Sequence, residues 1–249
     1  MSIDVFYYFL KGVFHMQALD RMMMITKAIS EHNQTGVTIS QLTEHTELAL
    51  ATLHRILHSL VEHRLIQFDA TTKRYTLGDA WMQYGLQVYD QFDYVSKIRP
   101  ILDDLAELTQ ESVYMHKPME DESMIVERLD SPNSRIHIVD RLGLRTAMPE
   151  GAANHIILAH RIILEKKENV FNVDTSFLQK IIVDGFVLMD DAQKETVSFA
   201  TPIVTKNQEL LHVISLSVLA FSLTEERIEW LTKQLLETRK LVEETLYFM

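Results

Sequence analysis

Apolar residues first recur at helical spacing in "MQALDRMMMITKAISEH" (16–32), at Leu19, Met22, Met23, Ile25 and Ile29, until the polar "NQTG" interrupts them. Thr38 then stands where a helix would be capped. Gln41, three residues on, completes a capping box for "ISQLTEHT". A third helix is predicted over 50–63. On a helical wheel Leu53, Ile56, Leu57, Leu60 and Val61 share one face. Ala51, Arg55, His58, Ser59 and Glu62 share the other, with Thr52 and His54 flanking. "RLIQFD" and "KRYTLG" alternate as strands around "DATTK", a hairpin pattern. Three helices followed by a hairpin predict a winged helix-turn-helix.

The pattern then changes. "GDAWMQYGLQVYD" (78–90) reads as an aromatic-rich helix without a strong polar face, and a domain boundary is expected near 78–95. A helix follows over "VSKIRPILDDLAELTQ", with Pro100 either kinking it or marking the start of its second half. Strands are predicted at "SVYMHK", "SMIVERLD" and "RIHIVDR", and helices at "GAANHIILAHRIILE" and "TSFLQKIIVDG", the latter stopped by Gly185. "TVSFATPIVT" and "LLHVISLSVLAF" are strands around the turn "KNQE". The tail is a long amphipathic helix capped by Thr224. The fold class is α+β.

Composition narrows the function. The chain has 249 residues, 47% of them hydrophobic, and no cysteine. Disulfides, thiolate metal sites and cysteine nucleophiles are therefore excluded, and a cytoplasmic location is expected. Seven glycines, with neither G-x-S-x-G nor G-x-x-x-x-G-K-[ST], argue against an enzyme. A serine-histidine-acid set can be assembled on paper from Ser217, His155 and Asp190. No cofactor is expected. The opening "MSIDVFYYFLKGVFH" is too short and too interrupted by Asp4 and Lys11 to span a membrane. It reads as an extension packing on a partner, or as an upstream start ahead of Met16.

The formal charge of -11 is unevenly spread. Residues 1–77 balance seven Lys+Arg against seven Asp+Glu and hold six of the eleven histidines. Residues 78–249 carry 17 basic and 28 acidic groups, so any nucleic-acid contact belongs to the first third. His54 and His58, four apart, suit a shared metal. Glu62 completes only an i, i+4, i+8 row that spans about 12 Å of helix and converges poorly. A polar face turned to DNA is the preferred reading, and no metal ligands are assigned; a metal-responsive regulator using these histidines is the lesser alternative.

"LDRMMMITKAIS" and "ISQLTEHTELALATLHRILHSLVEHRLIQFDATTKRYTLG" resemble the DNA-binding domain of IclR-type transcriptional regulators. The chain shows the leading Leu-x-Arg, the "TLHR" opening of the recognition helix and the "D-x-x-T-x-R-Y-x-L-G" wing. Later segments follow the same order: "GLRTAMPEGAANHIILA", "DGFVLMDD" and "SFATPIVTKNQELLHVISLSV". The resemblance implies an extension at 1–15, a winged helix-turn-helix at 16–78, a dimerising linker helix at 79–94 and a GAF-like mixed α/β effector-binding domain at 95–249. It further implies a homodimer or dimer of dimers on a pseudo-palindromic DNA operator. A repressor of a catabolic operon, controlled by a small carboxylate or sugar acid, is expected; the alternative is a regulator without effector. The chain departs from the family at Ala49–Leu50–Ala51 in place of Pro-Lys-Ser, at Lys73 in place of a wing-tip glycine, at Ala147–Met148–Pro149 in place of Pro-Leu-His, and at Asn154–His155 in place of Gly-Lys.

On these grounds Thr52, Arg55, His54, Ala51 and His58 are the candidate DNA contacts of the helix, and Lys73 and Arg74 those of the wing. The bland alternative pairs Arg55 with Glu62 or Asp69. Candidate effector contacts are Gly151 and Ala152 at a helix start, with Asp190, Ser215, Ser217 and Met148. Ser215 and Ser217, two apart on one strand, share a face. Met115, His116 and Met189 either shape the pocket or pack the core.

Overall fold

The structure is a computed structural model that describes residues 16–90, 95–132, 140–191 and 195–247. The 1–15 extension, the end of the expected linker helix at 91–94 and most of the "RIHIVDR" strand lie outside the described residues. The chain divides into two compact units, one ending at Phe92 and the other starting at Asp93.

The first unit runs α1 (Gln17–Glu31), β1 (Val37–Thr38), α2 (Ile39–Thr46), α3 (Leu50–Glu62), β2 (Ile66–Asp69), β3 (Arg74–Leu77) and α4 (Asp79–Tyr89). The expected capping box is present. Thr38 Oγ1 accepts from the Gln41 amide, and Gln41 Oε1 accepts from the Thr38 amide. Ile25, Ile29, Leu42, Leu53, Leu57, Leu60 and Ile66 form one buried cluster, and each such side chain stabilises the fold by about 1.5–3 kcal/mol. Val61, at the margin of the apolar arc, about 80° from Leu53, is exposed, while Leu60 beside it is buried. β1, too short to read from periodicity, pairs with β3 and extends the hairpin to three strands in the order β1-β3-β2.

The second unit begins with α5 (Val95–Thr109), one continuous helix that contains Pro100. Then come β4 (Ser112–Pro118), β5 (Glu122–Leu129), β6 (Arg145–Ala147) and α6 (Gly151–Ala159), which continues as a π-helical turn, His160–Leu164. α7 (Thr175–Asp184), β7 (Val187–Asp191), β8 (Thr196–Val204), β9 (Leu210–Leu219) and α8 (Glu225–Tyr247) complete it. Gly185, with φ of 75°, closes α7 as expected, and Thr224 caps α8 through the Arg227 amide. The strands form one antiparallel sheet ordered β6-β5-β4-β9-β8-β7.

Strand alternation assigns the two faces. Glu127 is ion-paired with Arg99 of α5, and it pairs in register with Met115, which pairs with Ile214. That face therefore looks toward α5. Val213 and Ala200 belong to the opposite face, where they join Ile156, Ile157, Leu178 and Ile181 of α6 and α7 in a second buried cluster.

Candidate nucleic-acid interface and ligand face

α3 exists because its leucines recur on one side, and that same periodicity turns Ala51, His54, Arg55 and His58 out to solvent. Thr52 is half-buried at their edge. Arg55 forms no hydrogen bond or ion pair among the described residues, so neither Glu62 nor Asp69 neutralises it. Glu62 instead lies 3.7 Å from His58 Nε2, both side chains being well exposed. Asp69 is occupied in the turn, where its carboxylate accepts from the Thr71 and Thr72 amides and the Thr72 hydroxyl. Those bonds hold its carboxyl below the usual carboxylate range. α3 thus presents a guanidinium flanked by imidazoles, in the first half of a helix whose N-terminus lacks a side-chain cap.

The wing is less open than its sequence suggests. Lys73 takes φ of 59°, the left-handed conformation that the family pattern gives to glycine. Its ammonium stands 6.0 Å from the centre of the Phe68 ring. Arg74, expected as a second tip cation, turns inward and donates from Nη1 to the Gly36 carbonyl at 2.7 Å. β1 pairing next to Arg74 creates that acceptor, and it left no trace in the sequence. Among the described residues no group of three or more His, Asp or Glu is arranged to hold a metal ion.

The expected effector contacts separate into two sets. Met148 and Ala152 lie in the α6 cluster, and Gly151 starts α6 with φ of 78°. Ser215 and Ser217 lie on the sheet face beneath α6: they pair with Ala200 and Ser198, which pair with Val187 and Met189. Asp190 pairs with Val197 and Val218, so it belongs to the α5 face, and it is exposed. Met115 also faces α5 and is core. Met189 packs against the α6 cluster. The paper triad fares no better, since the sheet separates Asp190 from Ser217. His155 is turned to the Gly151 carbonyl and the Phe177 ring.

The sequence reading did not single out Tyr114, Arg128 and His212, and it left His116 open. His116 Nε2 lies 2.8 Å from Ser215 Oγ, and His212 Nδ1 is 3.3 Å from the His116 carbonyl. Burial pushes both imidazoles down to about 4, so they are neutral near pH 7. Tyr114, opposite Ser215, accepts from the Asp140 amide, while Arg128, opposite Tyr114, pairs with Asp130 at 3.0 Å. Alternation along "SVYMHK" and "SMIVERLD" places Tyr114, His116 and Arg128 on one face once the order of strands is known, whereas His212 alternates with Ile214 onto the other and reaches only the His116 main chain.

Asn154 gives the α6 end its rigidity. Its fully buried amide nitrogen lies within 3.0 Å of the Thr146, Ala147 and Glu150 carbonyls, tying the first turn of α6 to β6. Its Oδ1 is buried without a partner among the described residues. On the other face a groove of about 420 Å³ runs between α5 and α8, lined by Ile101, Leu105, Leu108, Thr238 and Leu241. No helix among the described residues is long and apolar enough to cross a membrane.

Comparison with known proteins bears on both units. The IclR helix-turn-helix domain matches residues 18–70. The HTH-type transcriptional regulator KipR of Bacillus subtilis (strain 168) is 22% identical over 218 residues, 81% of this chain and 86% of KipR. A crystal structure of an IclR transcriptional regulator from Alicyclobacillus acidocaldarius has a TM-score of 0.73 at 18% identity, covering 93% of this chain and 99% of that one. The Thermotoga maritima IclR structure has a TM-score of 0.71 at 22% identity, again over 93% and 99% of the two chains. The fold of both units is shared with these solved structures, and residues 18–70 carry the sequence pattern of the IclR helix-turn-helix domain.

Proposed function

We propose that α3 enters the major groove of an operator, with Arg55 and Thr52 as principal readers and Ala51, His54 and His58 beside them, while Lys73 holds backbone phosphate from the wing. Arg74 supports the wing through Gly36 and contributes to DNA binding indirectly. The carrying observation is the Arg55 guanidinium, exposed and without an ion pair or hydrogen bond among the described residues. A dimer places two such helices about 34 Å apart, or a multiple of that, on a pseudo-palindromic site. The apolar side chains that α4 leaves in solvent are the surface expected to pair subunits.

The second unit is the sensor. A small carboxylate or sugar acid is taken between the start of α6, at Met148, Gly151 and Ala152, and the sheet face carrying Ser215 and Ser217. It acts by binding one arrangement of the dimer more tightly than the other, which releases a repressor from a catabolic operon. The reading without effector draws on one observation: Ser215 already has a partner in His116 and Ser217 lies near Ser198, so the face is satisfied from within. No catalytic role is assigned to either unit.

Two measurements test this. Operator affinity should fall steeply with salt, with a log–log slope of about -0.9 per phosphate neutralised, and a flat response would remove the phosphate contacts. A thermal-shift screen of small carboxylates and sugar acids should raise the melting temperature for a true effector. A uniformly negative screen would favour the effector-free reading.

A further inference from the structure

In formal charge, with histidine counted as uncharged, the reading head carries no excess of positive groups. Residues 16–77 hold six Lys+Arg against six Asp+Glu. Arg74 is already committed to the Gly36 carbonyl. The lysine that the family pattern sets at the start of the recognition helix is Leu50 here, and it is half exposed. What α3 offers in its place is His54 and His58, one turn apart on either side of Arg55, all three exposed. We propose that duplex binding by this chain is coupled to proton uptake on His54 and His58: as imidazolium ions they supply the phosphate-binding charge that Arg55 and Lys73 cannot supply alone. The proposal rests on the DNA-binding reading above and adds a regulatory consequence to it.

The sign follows from linkage. A phosphate beside an imidazole favours the protonated form, so the complex holds more protons than free protein and DNA. Affinity is then greatest at the acid side of the imidazole range and is lost as pH rises through it. The charged neighbours are few. Glu62 faces His58 at 3.7 Å and gives way when phosphate takes its place. The elements packed on α3 are α2 and β2. The ionisable groups on or beside them are Glu44, His45 and Glu47, with His63 and Arg64 ahead of β2 and Asp69 at its end. None forms an ion pair with His54 or His58 among the described residues. His45 is turned to the Gln41 carbonyl, and Asp69 is held by Thr71 and Thr72.

The test uses the full chain and a labelled mixed-sequence duplex of about 30 base pairs at about 50 mM salt, read by fluorescence anisotropy near pH 8 and near pH 6. The expected result is a roughly tenfold or greater tightening at the lower pH, with a steeper salt slope, both largely abolished in the double variant His54→Gln/His58→Gln. Both side chains are exposed, so the variant should fold, and circular dichroism checks this. Equal affinity at the two pH values overturns the proposal, as does a tightening that survives undiminished in the double variant. Absence of binding at both pH values overturns the DNA-binding reading itself, which keeps the two failures distinct.

Discussion

Gly78 shows why one residue of the wing pattern must stay as it is. A Cβ there would sit 2.0 Å from the Arg64 carbonyl oxygen and 2.9 Å from the Ile66 amide nitrogen, both main-chain atoms that cannot step aside. Gly78→Ala should therefore destabilise the first unit by about 2–3 kcal/mol, measured by urea unfolding; a loss below about 0.5 kcal/mol would refute the close-approach account. Asn154 makes the same point through hydrogen bonding. Asn154→Ala leaves the Thr146, Ala147 and Glu150 carbonyls without their donor and should cost about 1–3 kcal/mol. Single residues were also where the sequence misled. Arg74 looked like a wing-tip cation because its acceptor, the Gly36 carbonyl, is 38 residues away in the chain. Asp190 looked like a pocket residue because family order locates a strand but not which side of the sheet a given position faces.

At the scale of elements, period and capping carried most of the fold. α1, α3, α7 and α8 follow their apolar spacing, and Thr38, Gly185 and Thr224 bound helices as their chemistry requires. What stayed hidden were elements too short for a period, β1 and β6, and the switch to a π-helical turn after Ala159. α4 is the element whose packing its own unit leaves unexplained. Of its side chains only Ala80 is buried, while Met82, Tyr84, Leu86 and Val88 are more than half exposed. Trp81 Nε1 donates to the Leu65 carbonyl at 2.7 Å, and the Ala80 amide donates to the Arg64 carbonyl at 3.3 Å. So much exposed apolar area on one helix supports the proposed subunit contact. Met82→Glu/Leu86→Glu should shift the protein toward monomer in sedimentation equilibrium while leaving the first unit folded. An unchanged mass would rule out pairing through this helix.

At the scale of the whole molecule, proton chemistry differs between the units. His116, His160 and His212 of the second unit are pushed down to about 4 by burial, with Arg239 adding to the effect at His160. A histidine depressed in the folded state favours folding fully above its unfolded value near 6.5, and that contribution is lost as pH falls toward 4. Glu111 acts in the opposite sense, since burial beside Arg227 raises its carboxyl, but that matters only near the carboxylate range. The second unit should accordingly unfold at lower urea near pH 5 than near pH 7.5. In a Trp81→Phe background the fluorescence of Trp230 reports that unit alone. Equal midpoints would mean that these imidazoles are not held neutral by the fold.

The proposed function rests on one exposed helical face, and that face can be tested directly. A duplex selected from random sequence by the wild-type protein should be bound roughly ten- to a hundredfold more weakly by Arg55→Ala, with circular dichroism and oligomeric mass unchanged. Undiminished affinity of that variant for the selected duplex would contradict the assignment of α3 as the DNA reader.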